Sequence, residues 1–225
     1  MSSASAYNQW MYQTIAPFCQ GKILEIGAGL GNISRYFLQD NCDLYVSDFQ
    51  YHYREALIHL MRLYKMERDP FDIDLMHPYF EKVYGDLIGG FDTVFALNVI
   101  EHIEDDRLAL NNAWKLLKRG GRLIVLVPSY NWLFNELDRA LKHVRRYTKK
   151  DLEKLFQEFE WPIIHKQYFN CVGIPAWFLS GKIQRNSLIP SSQLRLFDTF
   201  VPLFKWIDRL TFNVAGLSTI IIGQK

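Results

Sequence analysis

One stretch of the chain combines glycines and acids in a way that could hold a nucleoside-like ligand. Glu25 precedes Gly27, Gly29 and Gly31, and Asp48 follows Gly27 by 21 residues. Glycines let a backbone approach a ligand closely, and an acid ending the next strand can accept bonds from both ribose hydroxyls. A carboxylate at this loop would repel the pyrophosphate of a dinucleotide and attract an ammonium or sulfonium. The pattern therefore favours a cationic ligand, with a tight structural turn as the alternative.

Two histidines could remove a proton from an acceptor. A side chain with a near-neutral pKa suits that step, and His102 and His143 are both expected near the same edge of a sheet. The alternative for His102 is packing or helix capping, and for His143 it is a solvated basic loop. Arg146 and Tyr147 could clamp an anionic group on the acceptor.

We expect no metal site. His77, His143 and His165 are scattered along the sequence, and the acid-rich stretch 69–74 is typical of a solvated loop. The three cysteines, at 19, 42 and 171, are too widely spaced for a zinc site. They indicate buried thiols in a reducing cytoplasm.

Alternating short β-branched runs and helical stretches must position these groups, and they predict an α/β domain. The crossover helices are expected at Asn32–Leu38, His52–Met66, Asp105–Lys118 with a glycine stop at Gly120 and Gly121, and Leu152–Phe159 capped by Thr148. Seven strands are expected, at Lys22–Ile26, Leu44–Val46, a short one closing at Tyr84, Phe91–Leu97, Arg122–Val127, His165–Phe169 and Ser218–Ile222.

An aromatic-rich segment separates the last two predicted strands. Such an apolar stretch must be covered, and the cover could be a hydrophobic acceptor pocket, a second copy of the chain or a membrane surface. We expect Pro202 to kink or divide any helix there, which favours a lid of two short pieces. Lid residues that would contact the acceptor are Phe200 and Trp206, joined by Tyr7 and Trp10 of the N-terminal segment.

With Asp86 and the run Asn98–His102 added, the chain resembles the class I S-adenosylmethionine-dependent methyltransferases over about residues 20–165. The resemblance implies a doubly wound, mostly parallel, Rossmann-like sheet of seven strands, and S-adenosylmethionine as cofactor with S-adenosylhomocysteine as product. It implies that Glu25 orients the loop and the methionine amine, and that Asp48 holds the ribose. It further implies that Gly27 and Gly29 lie under the cofactor, that Asp86 and Leu87 meet the adenine, and that Asn98, Val99 and Ile100 meet the methionyl end. Ala28 and Phe49 are also implied cofactor contacts.

A narrower resemblance concerns the stretch from Asp105 to Tyr147, which is similar to a bacterial group of small-molecule methyltransferases. It implies methyl transfer to a hydrophobic acceptor, aromatic or lipid-like, with oxygen as the acceptor atom. The segment Asn98–Glu101 lacks the prolines and aromatic ring with which amino-methylating nucleic-acid enzymes clamp a base, which disfavours flipped-base chemistry. Methylation of RNA or protein and cofactor binding without transfer are the alternatives.

Composition and charge set the remaining expectations. The 225 residues are 49% hydrophobic, enough to bury one large core. We expect a single domain, with a cap segment (1–20), a cofactor-binding core (21–170), the insertion (171–217) and a last strand (218–225). Residues 1–139 carry 13 basic and 18 acidic side chains, whereas residues 140–225 carry 13 and 6, so an anionic partner or a solvated basic face is expected there. The first 12 residues show no signal-peptide pattern, which favours a cytoplasmic location.

Overall fold

Six strands form one twisted sheet in the computed structural model, which describes residues 4–225. They are β1 (Ile23–Ile26), β2 (Leu44–Ser47), β3 (Phe91–Leu97), β4 (Leu117–Pro128), β5 (Ile163–Phe169) and β6 (Ser218–Gln224). The spatial order is β2-β1-β3-β4-β6-β5. The first four are parallel, and β6 runs antiparallel between β4 and β5. The carboxyl ends of β1 to β4 therefore share one edge, where ligands bind in folds of this kind.

Nine α-helices cover the two faces of the sheet within the described part of the chain. They are α1 (Ser5–Ile15), α2 (Ser34–Gln39), α3 (Tyr51–Leu63), α4 (Phe80–Val83), α5 (Asp106–Lys115), α6 (Glu136–Ala140), α7 (Lys149–Glu158), α8 (Gly173–Trp177) and α9 (Ser191–Leu210). Helix α7 begins as predicted, because Thr148 and Asp151 form a capping box.

Alternate residues of the central strands point into two hydrophobic cores, one on each face of the sheet. Val94 and Val125 face one side, where α4, α5 and α7 pack, and Phe95 and Ile124 face the other, where α1, α2, α3 and α9 pack. Strands buried on both faces explain the continuous apolar runs in the sequence. No helix within residues 4–225 is long and apolar enough to cross a membrane.

The predicted third strand and the predicted end of helix α5 are both wrong. Tyr84 closes no strand: it follows the short helix α4 and precedes a 3-10 turn at Gly85–Leu87, so the sheet has six strands rather than seven. Helix α5 ends at Lys115 instead of at the glycines. Residues 118–121 form a bulge in β4, since Leu117 pairs with Phe91 whereas Arg122 pairs with Thr93, and Gly120 takes the positive φ of +81° that this bulge requires.

Residues 170–217 connect β5 to β6 and hold α8, a π-helical turn at Phe178–Ile183, and α9. Helix α9 runs unbroken through Pro202, so the predicted division into two pieces is wrong. Its buried side, including Phe197, Val201 and Phe204, packs on the core beneath α1. These contacts hold the helix together although Pro202 has no N–H to donate. Cys19, Cys42 and Cys171 are free thiols.

Candidate functional site

The glycine loop leaves β1 at the shared carboxyl edge and returns into α2. Gly27 has a φ of +70°, and a Cβ at this position would lie 2.5 Å from the Cγ2 of Val99. Gly29 has a φ of +56° and open space where its Cβ would be. The loop is therefore closed against β3 at Gly27 and open toward solvent at Gly29, which is the shape needed for a ligand to approach the backbone.

Asp48 ties this loop to the end of β2. Its Oδ2 accepts a hydrogen bond from Gly29 N at 2.9 Å, and its Oδ1 accepts from Gln50 N at 2.8 Å. Ala28 N also donates to the Ser47 carbonyl at 2.9 Å. A carboxylate has about four acceptor positions, so Asp48 retains capacity for ribose hydroxyls while it fixes the loop.

Glu25 lies beneath the loop and is buried in β1. Its Oε2 accepts a hydrogen bond from Ser34 Oγ, on α2, at 2.5 Å. Burial raises the pKa of Glu25 to about 8 despite that bond, and the nearby charge of Asp48 raises it further. A cation bound above this side chain would supply the missing counter-charge.

The remaining predicted cofactor residues lie along the same edge. Phe49 follows Asp48 and is 65% exposed, whereas Asp86 and Leu87 lie on the 3-10 turn before β3. The segment 98–100 follows β3, with Asn98 at a φ of +54° and its N–H bonded to the Leu126 carbonyl. Exposed apolar surface at Phe49, acids at positions 48 and 86, and a buried acid at 25 suit an adenosine that carries a cationic tail. The residues present therefore fit S-adenosylmethionine.

A second group lies one turn farther along, where the 3-10 turn Ile100–His102 meets the loop after α6. His102 and His143 have ring centroids 4.8 Å apart, and His143 Nε2 is 3.9 Å from Glu101 Oε1. Glu101 is completely buried, and neither of its carboxylate oxygens has a hydrogen-bond partner. Burial raises the pKa of Glu101 to about 8. Partial desolvation of the His102 ring, together with the charge of His143, lowers the pKa of His102, although this side chain keeps contact with solvent. The two predicted catalytic histidines are thus brought together.

Arg146 and Tyr147 are buried, which argues against the predicted clamp for an anionic acceptor. Arg146 Nε donates to Asp138 Oδ1 at 2.7 Å, and its Nη1 donates to the Ser129 carbonyl. Tyr147 Oη donates to Asp106 Oδ2 at 2.9 Å. These side chains hold the loop after β4 against α5 and α6, because their polar groups are already engaged inside the protein.

Asp138 joins this structural network to the histidines. Its Oδ1 accepts from His143 Nδ1 at 2.8 Å as well as from Arg146. Burial alone would raise the pKa of Asp138, but the hydrogen bonds from His143 and Arg146 hold it below its ordinary value. Asp138 therefore stays ionised and fixes the orientation of the His143 ring.

The four predicted lid residues lie away from this cluster. Trp10 is buried against Phe169, with ring centroids 4.4 Å apart, and Tyr7 packs on the same ring. Phe200 and Trp206, which are 46% and 58% exposed, lie on the outward side of α9. Trp10 consequently belongs to the core, and the two α9 residues face solvent.

Other aromatic side chains are linked to the site through Asp138, the residue that contacts His143. Trp177 of α8 donates from Nε1 to Asp138 Oδ2 at 3.3 Å. The guanidinium carbon of Arg146 lies over the Trp177 ring, 4.8 Å from the ring centroid. Trp132 and Phe178, both partly exposed, have ring centroids 6.2 Å apart. The segment after β5 thus covers the loop that carries Asp138 and His143.

Glu101 and Asp138 are the site residues without a predicted role. Both stand in the segments that carried the family resemblance, and the recurrence of Asp138, His143 and Arg146 within one short stretch was the available signal. Glu101 contacts His143 and Asp138 contacts Trp177, and the residues of each pair are about 40 positions apart in the sequence, so no local pattern shows these contacts.

Comparison with known proteins agrees with this geometry. Residues 24–123 match the family model of a methyltransferase domain, Methyltransf_12. A highly reducing polyketide synthase of Strobilurus tenacellus is 25% identical over 112 residues, which are 47% of this chain and 4% of the synthase. The chain therefore spans only a small part of that curated relative.

Two solved structures share the fold. A SAM-dependent methyltransferase from Archaeoglobus fulgidus aligns over 97% of this chain and 94% of its own, with 12% identity and a TM-score of 0.59. Phosphoethanolamine N-methyltransferase 2 of Haemonchus contortus, in complex with S-adenosyl-L-methionine, aligns over 97% of this chain and 52% of its own, with 16% identity and a TM-score of 0.60. At these identities the likeness concerns the fold.

Proposed function

We propose that this chain is a class I S-adenosylmethionine-dependent methyltransferase and that it methylates an oxygen of a hydrophobic small molecule, aromatic or lipid-like. The observation that carries the proposal is the position of the Glu101, His102 and His143 cluster. It follows directly on residues 98–100, which the family resemblance assigns to the methionyl end of the cofactor. Groups able to accept a proton would then stand beside the methyl group.

When bound, the cofactor supplies a methyl group attached to a sulfonium sulfur; the carbon–sulfur bond breaks with its electron pair going to sulfur, which becomes a neutral thioether. Glu25 would balance the charge of the methionine amine, and Asp48 would hold the ribose. The chain must also align the acceptor oxygen with carbon and sulfur. The acceptor's proton would pass to His102, the exposed member of the cluster, whose lowered pKa keeps it unprotonated near neutral pH.

Exposed aromatic rings near Asp138 support a hydrophobic acceptor. Phe178 directly follows Trp177, which donates to Asp138, and the rings of Phe178 and Trp132 lie near each other and expose flat apolar surface. Rings of this kind pack on an aromatic or acyl group and exclude water during transfer. Part of the basic excess of residues 140–225 is used internally, by Arg145 with Asp106 and by Arg146 with Asp138, which weakens the case for a nucleic-acid groove.

Release of S-adenosylhomocysteine in the presence of phenols, catechols and long-chain hydroxy lipids tests the proposal, with RNA and protein as competing acceptors. For the best acceptor, we expect Phe178→Ala to raise KM about tenfold or more, because it removes apolar contact area. Affinity for S-adenosylhomocysteine should stay unchanged. Phe212→Ala, at a highly exposed ring in the same connecting segment, is the matched control.

Methyl incorporation into RNA or protein alone would contradict a small-molecule acceptor. Tight cofactor binding without turnover on any acceptor class would favour a binding protein instead. Equal KM values for Phe178→Ala and Phe212→Ala would remove the aromatic surface from the acceptor site.

A further inference from the structure

Three side chains that commonly bind metal ions converge at the end of β3. Glu101, His102 and His143 each offer one ligand atom, and the three atoms all lie within 4.8 Å of one another. Atoms bound to one tetrahedral ion at about 2.0–2.2 Å each are about 3.3–3.6 Å apart, so side-chain rotations that bring the three atoms about 1 Å closer would place them around one ion. Both histidines are predicted near the same sheet edge, but His143 is 41 residues from His102 and no metal-ligand spacing links the pair to Glu101.

Both histidines are oriented for ligation. His143 Nδ1 is 2.8 Å from Asp138 Oδ1, and because an ionised carboxylate only accepts, Nδ1 carries the hydrogen. In a neutral His143 ring, Nε2 then carries the lone pair, and it lies 3.9 Å from Glu101 Oε1. His102 Nδ1 lies 3.3 Å from the Lys142 carbonyl, which likewise only accepts, so its Nε2 is also available. Carboxylates and carbonyls that hold histidine ligands in this way are the usual surroundings of protein metal sites.

Glu101 gives an independent indication. Its carboxylate is completely buried, and within the described chain neither oxygen receives a hydrogen bond. A buried acid without a partner costs free energy unless a cation or a proton compensates it. Arg146, the cation whose charge acts on Glu101, already donates to Asp138 and to the Ser129 carbonyl. Glu101 therefore lacks a partner on the side where the histidine lone pairs lie.

We propose that Glu101, His102 and His143 bind one divalent transition-metal ion, with Asp138 as the positioning residue for His143. Two imidazoles and one carboxylate suit Zn²⁺, Mn²⁺, Fe²⁺ or Co²⁺, whereas Mg²⁺ and Ca²⁺ prefer a set made entirely of oxygens. Three protein ligands leave at least one coordination position open, and one of the three, His102, is exposed to solvent.

The role of the ion rests on the proposed function. An acceptor hydroxyl at the open position would lose its proton more easily, because a divalent cation stabilises the oxyanion. The oxygen would then donate an electron pair to the methyl carbon as the carbon–sulfur bond breaks toward sulfur, and the hydroxyl proton would go to water. With the ion bound, the two histidines would hold it, so the ion would take over the activation of the hydroxyl that His102 provides in the metal-free chain.

Calorimetric titration of the chelator-stripped full chain with zinc chloride alone tests the site, without cofactor or acceptor. We expect one zinc ion per chain, and at least about tenfold weaker binding in Glu101→Gln, in His102→Ala and in Asp138→Asn. His59→Ala, at an exposed histidine on α3, is the matched control and should bind zinc like the unaltered chain. Should Glu101→Gln fail to fold, His102→Ala still decides the question because its side chain is exposed.

The proposal is overturned if the unaltered chain shows no saturable zinc binding, or if the Glu101 and His102 variants bind zinc as His59→Ala does, which would mean an adventitious ion only. S-adenosylhomocysteine affinity is measured on the same stripped protein. Zinc binding without S-adenosylhomocysteine binding would contradict the proposed function alone, and the reverse result would contradict the metal site alone.

Discussion

Glu25 is a buried acid whose ionisation should be coupled to cofactor binding. Its pKa of about 8 means that the side chain is mostly protonated in the free protein at pH 6.5. A ligand ammonium placed beside it favours the ionised form, so binding should expel its proton.

The raised pKa of Glu25 also makes the stability of the protein depend on pH. Between about pH 4.5 and pH 8 the unfolded chain holds fewer protons at this position than the folded chain, so the contribution of Glu25 to stability is lost as pH rises.

We predict that binding of S-adenosylhomocysteine at pH 6.5 releases about one proton. Calorimetry in two buffers with different ionisation enthalpies measures this number directly. Glu25→Gln cannot ionise, so its binding should release fewer protons, and its unfolding free energy should fall less between pH 5 and pH 8. Equal proton release by the variant and the unaltered chain would show that Glu25 does not respond to the ligand.

Asp48 gives a second prediction. Asp48→Ala should weaken S-adenosylhomocysteine binding by about 1.5–3 kcal/mol, since it removes acceptors for the ribose and frees the Gly29 N–H that Asp48 now holds. Asp43→Ala, at the opposite end of the same strand and paired with Arg68, is the matched control. A folded Asp48→Ala protein with unchanged affinity would remove Asp48 from the ribose site.

Some site residues could be predicted from sequence and others could not. Glu25 and Asp48 stand at fixed distances from the glycine loop, so a local pattern predicts them, although their direct contact with the cofactor remains a prediction. Glu101 and Asp138 act through His143 and Arg146, and that arrangement depends on how the loop after β4 folds back onto β3. Arg146 was assigned to the acceptor because a sequence does not reveal that a cation already has a buried partner.

At the scale of elements, α1 depends on a cap that another helix supplies. The residue before it, Ala4, has no side chain that can accept a hydrogen bond. Asp198 of α9 instead accepts from Ala6 N at 3.0 Å and from Tyr7 N at 2.8 Å. A carboxylate at a helix N-terminus satisfies unpaired N–H groups and complements the helix dipole. Asp198 thereby fixes the N-terminal helix to the segment between β5 and β6.

We predict that Asp198→Ala lowers the free energy of unfolding by about 1–2 kcal/mol, the usual effect of losing an N-cap acceptor. Urea unfolding followed by circular dichroism measures the change. Glu55→Ala, at an exposed acid on α3, provides the control for loss of a surface charge. A change no larger than that of the control would mean that α1 is held by its apolar contacts alone.

Elements with strong local signals were predicted well, and those set by tertiary contacts were not. The β3 bounds and the Thr148 cap follow from apolar runs and capping chemistry. Gly120 was assigned to a helix end, but the same positive φ serves a bulge in β4, and only strand pairing separates the two. Pro202 was expected to break α9, yet burial of Val201 and its neighbours outweighs one lost hydrogen bond.

At the scale of the whole molecule, the outward face of α9 remains uncovered. Five exposed apolar side chains recur every three or four residues along it, so they form a single stripe: Leu196, Phe200, Leu203, Trp206 and Leu210. Arg195, Lys205 and Arg209 lie on the same helix, within the part of the chain that carries 13 basic and 6 acidic residues. An apolar stripe bordered by cations is typical of helices that lie on an anionic lipid surface.

We predict that the chain binds vesicles of phosphatidylcholine with phosphatidylglycerol more tightly than vesicles of phosphatidylcholine alone, and that added salt weakens the binding. The double variant Phe200→Ala, Trp206→Ala should bind at least about tenfold more weakly, because two large apolar side chains no longer enter the lipid interface. Tyr79→Ala, which removes an exposed ring elsewhere, should leave vesicle binding unchanged.

Light scattering of the same proteins tests whether a second copy of the chain covers the stripe instead. A dimer that the double variant dissociates would assign the stripe to that second copy. A raised acceptor KM with unchanged vesicle binding and mass would return Phe200 and Trp206 to the acceptor site.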